Sequence, residues 1–482
     1  MAHKMTDTRT DLDKKYDYEM LNKKPKALHK HRFLDSDVDN NTAKGKKCQR
    51  YCLPSIGLLT ITFTLYLILC IPRNKGIQMS AVGVIHVPTY NPVTLVRIPT
   101  ELANKSGAFC LDGTVPSYYF RKGKGRGQRS WMLHLQGGGW CWDLPDCYNR
   151  SYSHYGSSLA QYLPTHRVLQ GILSDCPHMN PDFHDWNVAH VNYCDGAAFS
   201  GNVPNPVEHK NQTLYFRGAL VLDLVFNFLV QSGGMGDADR IILTGSSAGA
   251  SAVVLHIDHI KTLLPDGIPL HGLVDAGLFL DTKNMTNFNY FRMRTQNVYN
   301  IQQVWGSLNE ACVKDQPQDK RWKCFFSVYA YKYVQSPVFY MHTGYDIWQL
   351  RHILEMLCHP TECPEQISFM MDFHKKFINF AKEVQNQSKK NGMFISSCPD
   401  HSQAYFDDPY QSYIVDGKTP QQAFGDWYFE RIPEGSSFYF DCEDSYDCNP
   451  TCDWSLEFYK NITYHHLRSV ESNETCSVTS RL

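Results

Sequence analysis

The sequence predicts an α/β domain built on a largely parallel sheet. Between about residues 100 and 453, short apolar runs of strand length alternate with longer stretches of helical pattern. This alternation is typical of parallel strands joined by crossover helices. The composition, with 43% hydrophobic and 20% charged residues in a chain of 482, is that of a globular protein with a large core. We therefore expect one domain at residues 100–453, with helices flanking the sheet.

The N-terminal part of the chain predicts a membrane anchor. Residues 1–54 are rich in Lys, Asp and Asn and are expected to form a disordered cytosolic tail. Ser55–Ile71 carries no charge over seventeen residues, which is just long enough to span a hydrocarbon core of about 30 Å. A cluster of basic residues at 44–50 precedes it and places the N-terminus in the cytosol. We expect a single-pass signal anchor of type II, followed by a stalk at residues 73–95.

The alternative for the apolar segment is a cleaved signal peptide. The long polar stretch before the segment and the lack of a small-residue cleavage site after it argue against cleavage. The domain that follows the segment is therefore predicted to be lumenal or extracellular, in the secretory pathway or at the cell surface. Residues 461–482 are expected to form a polar C-terminal tail.

Cysteines and sequons predict the same compartment. Of 17 cysteines, 14 follow the apolar segment, and this even number suits disulfide formation. The close pairs Cys141/Cys147 and Cys312/Cys324 are candidate local bridges. Sequons follow the segment at Asn104, Asn149, Asn211, Asn284, Asn386, Asn461 and Asn473, and they predict glycosylated surface positions. The formal net charge of −1 gives no basic excess, so we expect no nucleic-acid partner.

Three predicted strands end beside residues that could carry chemistry. The runs and the residues after them are Trp131–Leu135 with Gly137–Gly139, Arg240–Thr244 with Gly245, and Ser336–Met341 with Asp346. In an open α/β sheet the carboxyl ends of the parallel strands share one edge, where sites assemble. These residues are therefore expected to meet.

The sharpest motif is Gly245–Gly249, Gly-Ser-Ser-Ala-Gly, which matches Gly-x-Ser-x-Gly between a predicted strand and a predicted helix. A nucleophile elbow requires this context, because the sharp turn exposes the serine and leaves room only for small neighbours. Ser247 is the candidate nucleophile for acyl transfer. Ser246 is a rival off the pattern, and a phosphate-binding or merely tight turn is the structural alternative.

A second glycine-rich stretch, Gly137–Gly139, offers backbone donors. Acyl transfer needs N–H groups aimed at an oxyanion, from the residue after the nucleophile and from a glycine-rich loop after an earlier strand. We expect this oxyanion hole to be formed by Gly139, Trp140 and Ala248, with the Trp140 ring as a wall of the acyl pocket. The alternative is a glycine turn packed under an aromatic core.

The acid and the base are expected later in the chain, since the usual order on such sheets is Ser, Asp or Glu, then His. Asp346 follows a predicted strand, although it could instead cap the helix that begins after it. His401 lies in a loop of small and polar residues after another short apolar run, but it is one of 21 histidines. From the residues alone both assignments stay open.

Eight motifs together resemble the pectin acetylesterase / Notum family. In order they are GGGWCWD, YCDGAAFSGN (Tyr193–Asn202), LTGSSAGA (Leu243–Ala250), DAGLFLD (Asp275–Asp281), PVFYMHTGYDIWQL (Pro337–Leu350), SSCPDHSQ (Ser396–Gln403), GDWYF (Gly425–Phe429) and DCNPTC (Asp447–Cys452). The resemblance covers roughly residues 103–453 and implies a serine carboxylesterase with an α/β-hydrolase-like fold.

The resemblance also implies roles at matching positions. Ser247 would be the nucleophile, Asp346 the acid and His401 the base. The implied oxyanion hole is again Gly139, Trp140 and Ala248. This chemistry uses no metal and no organic cofactor.

Two ester classes are open within the family. Plant-type members resemble polysaccharide deacetylases, and animal Notum members remove a palmitoleate from Wnt proteins. GGGWCWD, YCDGAAFSGN and GYDIWQ are closer to the first group, whereas WKCFF within Cys312–Phe326 also resembles Notum. We expect an O-deacetylase acting on an acylated polysaccharide. The alternatives are a palmitoleoyl-protein carboxylesterase acting on a lipidated protein of the Wnt type and a catalytically inactive binding domain.

Overall fold

The computed structural model describes residues 91–356 and 358–455. The predicted cytosolic tail, the anchor Ser55–Ile71 and the polar tail 461–482 lie outside these residues. Within them, no helix has the length and apolar character that crossing a membrane needs.

A ten-stranded sheet forms the centre of the fold, in the order β12-β11-β10-β9-β8-β3-β5-β2-β1-β4, and β6 and β7 form a separate hairpin. The strands are β1 Val93–Arg97, β2 Ser117–Arg121, β3 Ser130–Leu135, β4 His166–Arg167, β5 Asn187–Val191, β6 Val207–His209, β7 Gln212–Leu214, β8 Arg240–Ser246, β9 Leu270–Asp275, β10 Val338–Thr343, β11 Gly392–Ser396 and β12 Phe438–Phe440.

The strands from β12 to β5 run parallel, and only β2, β1 and β4 at one edge pair antiparallel. The predicted α/β class with a largely parallel sheet is therefore confirmed. The flanking α-helices are α1 Thr100–Ser106, α2 Leu144–Ser151, α3 Gly218–Gln231, α4 Ala248–Leu263, α5 Tyr290–Ile301, α6 Glu310–Asp315, α7 Ser327–Ala330, α8 Ile347–His352, α9 Ile367–Gln387, α10 Asp407–Ser412 and α11 Pro420–Tyr428.

The central strands bury both faces. In β8, Ile241 and Leu243 join the core that α3, α4 and α9 cover, whereas Ile242 joins the core on the opposite face with α10 and α11. Successive side chains of a strand point to opposite faces. The continuous apolar run of β8 thus follows from helices on both sides.

The sheet begins earlier than predicted. Val93–Arg97, which overlaps the predicted stalk at residues 73–95 and precedes the predicted domain start at residue 100, forms β1. It pairs antiparallel with β2, and Val93 is fully buried. These backbone hydrogen bonds and the apolar contacts of Val93 place the segment in the domain.

Disulfides link many of the loops. The predicted bridges Cys141–Cys147 and Cys312–Cys324 are confirmed. Further bridges join Cys110 to Cys194, Cys358 to Cys363, Cys398 to Cys452 and Cys442 to Cys448, and Cys176 is also disulfide-bonded. Such a density of disulfides is typical of secreted and extracellular domains.

One predicted glycosylation site does not lie on the surface. Asn104, Asn149, Asn211 and Asn386 are exposed, whereas Asn284 is only 3% exposed. Its side-chain amide donates to Glu355, and its side-chain oxygen accepts from the backbone of Thr286 and Phe288. The expected surface position at Asn284 is therefore wrong, because the side chain is used to hold its own loop.

Candidate active site

The Gly-x-Ser-x-Gly motif forms a strained turn between β8 and α4. Ser247 has φ +55° and ψ −126°, a conformation that side chains other than glycine rarely adopt. A Cβ at Gly245 would lie 2.4 Å from the Gly249 oxygen, and one at Gly249 would lie 2.0 Å from the Leu135 oxygen. Only glycine fits at these two positions, as the motif predicts.

The structure brings Ser247, His401 and Asp346 together at the carboxyl edge of the sheet. The distance from His401 Nε2 to Ser247 Oγ is 2.8 Å, and the distance from His401 Nδ1 to Asp346 Oδ1 is 2.9 Å. Both lie in hydrogen-bonding range. The rival Ser246 is the last residue of β8, and within the described residues its side chain has no hydrogen bond to His401.

Asp346 caps a helix and also contacts His401, so the structure is compatible with both of the assignments that the sequence left open. It is the N-cap of α8, since its Oδ1 accepts the N–H groups of Trp348 and Gln349. Its Oδ2 accepts from the Gln349 side chain at 3.1 Å. The carboxylate is fully buried, and these bonds hold it in one orientation while it faces His401.

The charges of Asp346 and His401 stabilise each other. Burial raises the pKa of Asp346, but the charge and hydrogen bond of His401, with help from His342 and Gln349, hold it below its ordinary value. Burial lowers the pKa of His401, but Asp346, followed by Asp275 and Asp400, raises it above the ordinary value. An anionic carboxylate therefore faces an imidazole that accepts a proton readily.

Two side chains hold the glycine loop after β3 by donating hydrogen bonds to its carbonyl oxygens. Arg150 donates to the Gly138 oxygen at 2.9 Å, and the Tyr193 hydroxyl donates to the Gly139 oxygen at 2.8 Å. In the part of the chain that the structure describes, the N–H groups of Gly139, Trp140 and Ala248 donate to no protein acceptor. The three N–H groups predicted to form the oxyanion hole are therefore not used in hydrogen bonds to the protein itself.

Two of the glycines of this loop, Gly137 and Gly139, have different roles. A Cβ at Gly137 would lie 2.2 Å from the Ser246 oxygen and 2.8 Å from Ser247 Cβ, so this glycine allows the two loops to touch. Gly139 has φ +65°, and a Cβ there would meet nothing within 4 Å. Glycine is needed at this position because of its backbone conformation, since a residue with a side chain is strained in the left-handed region.

A group of aromatic rings packs together beside the ring of His401. Trp140 contacts Phe279 at 5.0 Å, Phe291 at 5.7 Å and Trp348 at 6.0 Å between ring centroids. The rings of Trp348 and Phe279 lie 6.0 and 6.2 Å from the ring of His401. We call Trp140, Phe279, Phe291 and Trp348 the aromatic cluster. It occupies space next to the reacting groups.

Sequence reasoning missed several residues that support the site. Gln349 and Trp348 follow Asp346 directly in the chain, so their proximity was available as a signal. Arg150 and Tyr193 come from distant segments, and no spacing rule links them to the glycine loop. Asp275 lies in the DAGLFLD motif, which was noted only as part of the family pattern.

Comparisons with known proteins identify the family of this chain. The profile of the pectinacetylesterase family matches residues 89–453. Pectin acetylesterase 5 of Arabidopsis thaliana is 36% identical over 384 residues, which is 76% of this chain and 86% of that protein. The palmitoleoyl-protein carboxylesterase NOTUM of Schmidtea mediterranea is 29% identical over 341 residues, covering 68% of this chain and 61% of that protein.

A solved structure supports the fold. The crystal structure of the Wnt deacylase Notum from Drosophila superposes with a TM-score of 0.65, at 24% identity, and covers 75% of this chain and 100% of that one. The resemblance read from the motifs is therefore confirmed. The chain belongs to the pectinacetylesterase family and is a carboxylic ester hydrolase.

Proposed function

We propose that the protein hydrolyses O-acyl esters through Ser247, His401 and Asp346. The observation that carries the proposal is the pair of contacts at His401, 2.8 Å to the Ser247 hydroxyl and 2.9 Å to the Asp346 carboxylate. Nucleophile, base and orienting acid stand in the order that a serine hydrolase requires.

The mechanism follows from these contacts. His401 Nε2 accepts the Ser247 proton while Ser247 Oγ attacks the ester carbonyl, and Asp346 stabilises the imidazolium that forms. The N–H groups of Gly139, Trp140 and Ala248 stabilise the tetrahedral oxyanion. His401 then donates its proton to the leaving alcohol. A water activated by His401 hydrolyses the acyl-enzyme and restores Ser247.

The proposed substrate is a short-chain ester, an O-acetyl group on a polysaccharide. Two observations support it. Pectin acetylesterases 5 and 4 of Arabidopsis thaliana share 36% and 34% identity with this chain over 76% of its length. The aromatic cluster also packs against the ring of His401, which leaves less room for a long acyl chain than for an acetyl group.

The second candidate is hydrolysis of a palmitoleoyl group from a protein. It is supported by the named activity of the Notum relatives, which reach 31% identity over 50% of this chain. A long acyl chain requires an apolar channel, and in this second candidate the aromatic cluster would line it.

We also propose that Ser55–Ile71 anchors the protein as a single-pass type II membrane protein. The support is its uncharged sequence, the basic residues before it and the disulfides of the domain that follows. The catalytic body would then act in the lumen or outside the cell.

A chain-length series tests the function. The purified protein and its Ser247→Ala variant are assayed with nitrophenyl acetate, butyrate, octanoate and palmitoleate. We expect turnover that depends on Ser247 and is fastest for acetate. Fastest turnover of octanoate or palmitoleate would instead support the Notum-like activity, and turnover equal in both proteins would refute the catalytic role of Ser247.

A further inference from the structure

Asp275, the last residue of β9, contacts both loops that carry the reacting side chains. Its backbone oxygen accepts the Ser247 N–H at 2.9 Å. Its side chain accepts three consecutive N–H groups, Gln403 on Oδ1 at 2.8 Å, Ala404 on Oδ2 at 3.0 Å and Tyr405 on Oδ2 at 3.2 Å. His401 lies two residues before Gln403, so one residue links the nucleophile turn to the base loop.

The backbone around Asp275 is itself constrained. β9 lies beside β8, and Asp275 pairs with Ser246 in the parallel register. The next residue, Ala276, has φ +58° and donates its N–H to the Met341 oxygen at 2.9 Å. A left-handed alanine is strained and persists only where its surroundings impose it. The turn fixes where the Asp275 carboxylate lies.

The hydrogen bonds require a carboxylate and not a carboxylic acid. An ionised carboxylate only accepts, whereas a protonated one turns one oxygen into a donor. Asp275 is 1% exposed, so a proton on Oδ2 would face the N–H groups of Ala404 and Tyr405 in a place that is closed to bulk solvent. The loop would have to move, and His401 would move with it.

We propose that Asp275 is a positioning residue, whose ionised side chain and backbone oxygen together set the separation between Ser247 and His401. The inference rests on the proposed function of these two residues. Asp275 itself contacts no reacting atom and acts through the loop that it holds.

The surroundings of the Asp275 carboxyl bring its ionisation close to neutral pH. Burial, with a contribution from the charge of Asp400, raises the pKa of Asp275 to about 7, although the N–H groups of Gln403 and Ala404 and the charge of His401 lower it. Tyr410 from α10 also faces it. Two protonations should therefore reduce activity as the pH falls, one on His401 and one on Asp275.

The test is a pH profile of kcat/KM for nitrophenyl acetate in the wild type and in Asp275→Asn. We expect kcat to fall roughly 10- to 100-fold, since small misplacements of a catalytic group cost about that much, with KM nearly unchanged. The acid limb should move to lower pH, because His401 loses a neighbouring anion, and it should become shallower, because one ionisation is gone.

Asp258→Asn is the matched control. Asp258 also accepts consecutive N–H groups, from Gln335 at 2.8 Å and Ser336 at 3.0 Å, but at the amino end of β10. It should leave the acid limb where it is. If Asp275→Asn lowers activity and melting temperature but does not move the limb, the residue is merely structural and the proposal is wrong.

The pH profile of the wild type alone provides a second test. Its acid limb should be steeper than a single ionisation allows, and a limb that fits one proton would overturn the proposal even if Asp275→Asn does not fold. Ser247→Ala is assayed in parallel. Wild-type activity that does not need Ser247 would refute the proposed function itself, which is a different result from a one-proton limb.

Discussion

The ring of Trp348 lies against the ring of His401, with centroids 6.0 Å apart and planes inclined by only 25°. Trp348 also contacts Phe279 at 5.2 Å and belongs to the aromatic cluster. A single side chain thus links His401, the proposed base, to the proposed wall of the acyl pocket.

Trp348→Ala should shift acyl preference towards longer chains. Removing the indole opens space beside Ser247, and each methylene that fits an apolar pocket is worth about 1–3 kcal/mol. We expect the ratio of kcat/KM for octanoate to that for acetate to rise by roughly tenfold or more. The measurement is the chain-length series on the wild type and the variant.

Trp305→Ala is the control for that change, because Trp305 is 45% exposed and packs on Tyr299. It should leave the ratio unchanged. An unchanged ratio in Trp348→Ala as well would show that the aromatic cluster does not limit chain length.

Gly139→Ala should impair catalysis more than stability. A methyl group at position 139 would meet no protein atom within 4 Å, but φ +65° would strain the alanine backbone by about 1–2 kcal/mol. Relaxation of this strain would reorient the N–H groups of residue 139 and Trp140. Loss of one oxyanion donor typically lowers kcat about 10²- to 10³-fold. The check is kcat for nitrophenyl acetate together with the melting temperature.

Gly267→Ala is the matched control for Gly139→Ala. Gly267 also has a positive φ, +87°, with no atom within 4 Å of an added Cβ, but it lies before the amino end of β9. This variant should lower the melting temperature by a similar amount and leave kcat unchanged. Equal kcat values in both alanine variants would contradict the oxyanion role of the glycine loop.

Much of the site could be predicted because its chemistry is local in sequence. Gly-x-Ser-x-Gly specifies its own turn, and the ends of parallel strands share an edge. The choice of His401 among 21 histidines needed the family motifs. Asp275 could not be predicted, since its side chain meets Gln403 across 128 positions, and no periodicity encodes that contact.

The activity should fall at acid pH with a midpoint above the ordinary value of histidine, about 6.5. His401 must be neutral to accept the Ser247 proton, and Asp346, Asp275 and Asp400 raise its pKa. Asp400→Asn should lower the midpoint, since Asp400 accepts the His401 backbone N–H at 2.7 Å and adds negative charge. The profile of kcat/KM against pH measures both, and a midpoint well below 6.5 in the wild type would contradict the charge arrangement.

Glycosylation tests the predicted topology and the buried sequon together. If Ser55–Ile71 orients the chain with its N-terminus in the cytosol, the exposed sequons meet the glycosylation machinery, and glycosidase treatment should speed gel migration. Asn149→Gln should remove one glycan step, because Asn149 is exposed. Asn284→Gln should remove none, because Asn284 is 3% exposed and donates to Glu355. A protein that carries no glycan would show that the orientation is wrong, and a glycan at Asn284 would show that its loop is open when the chain is modified, before Glu355 can bind the amide.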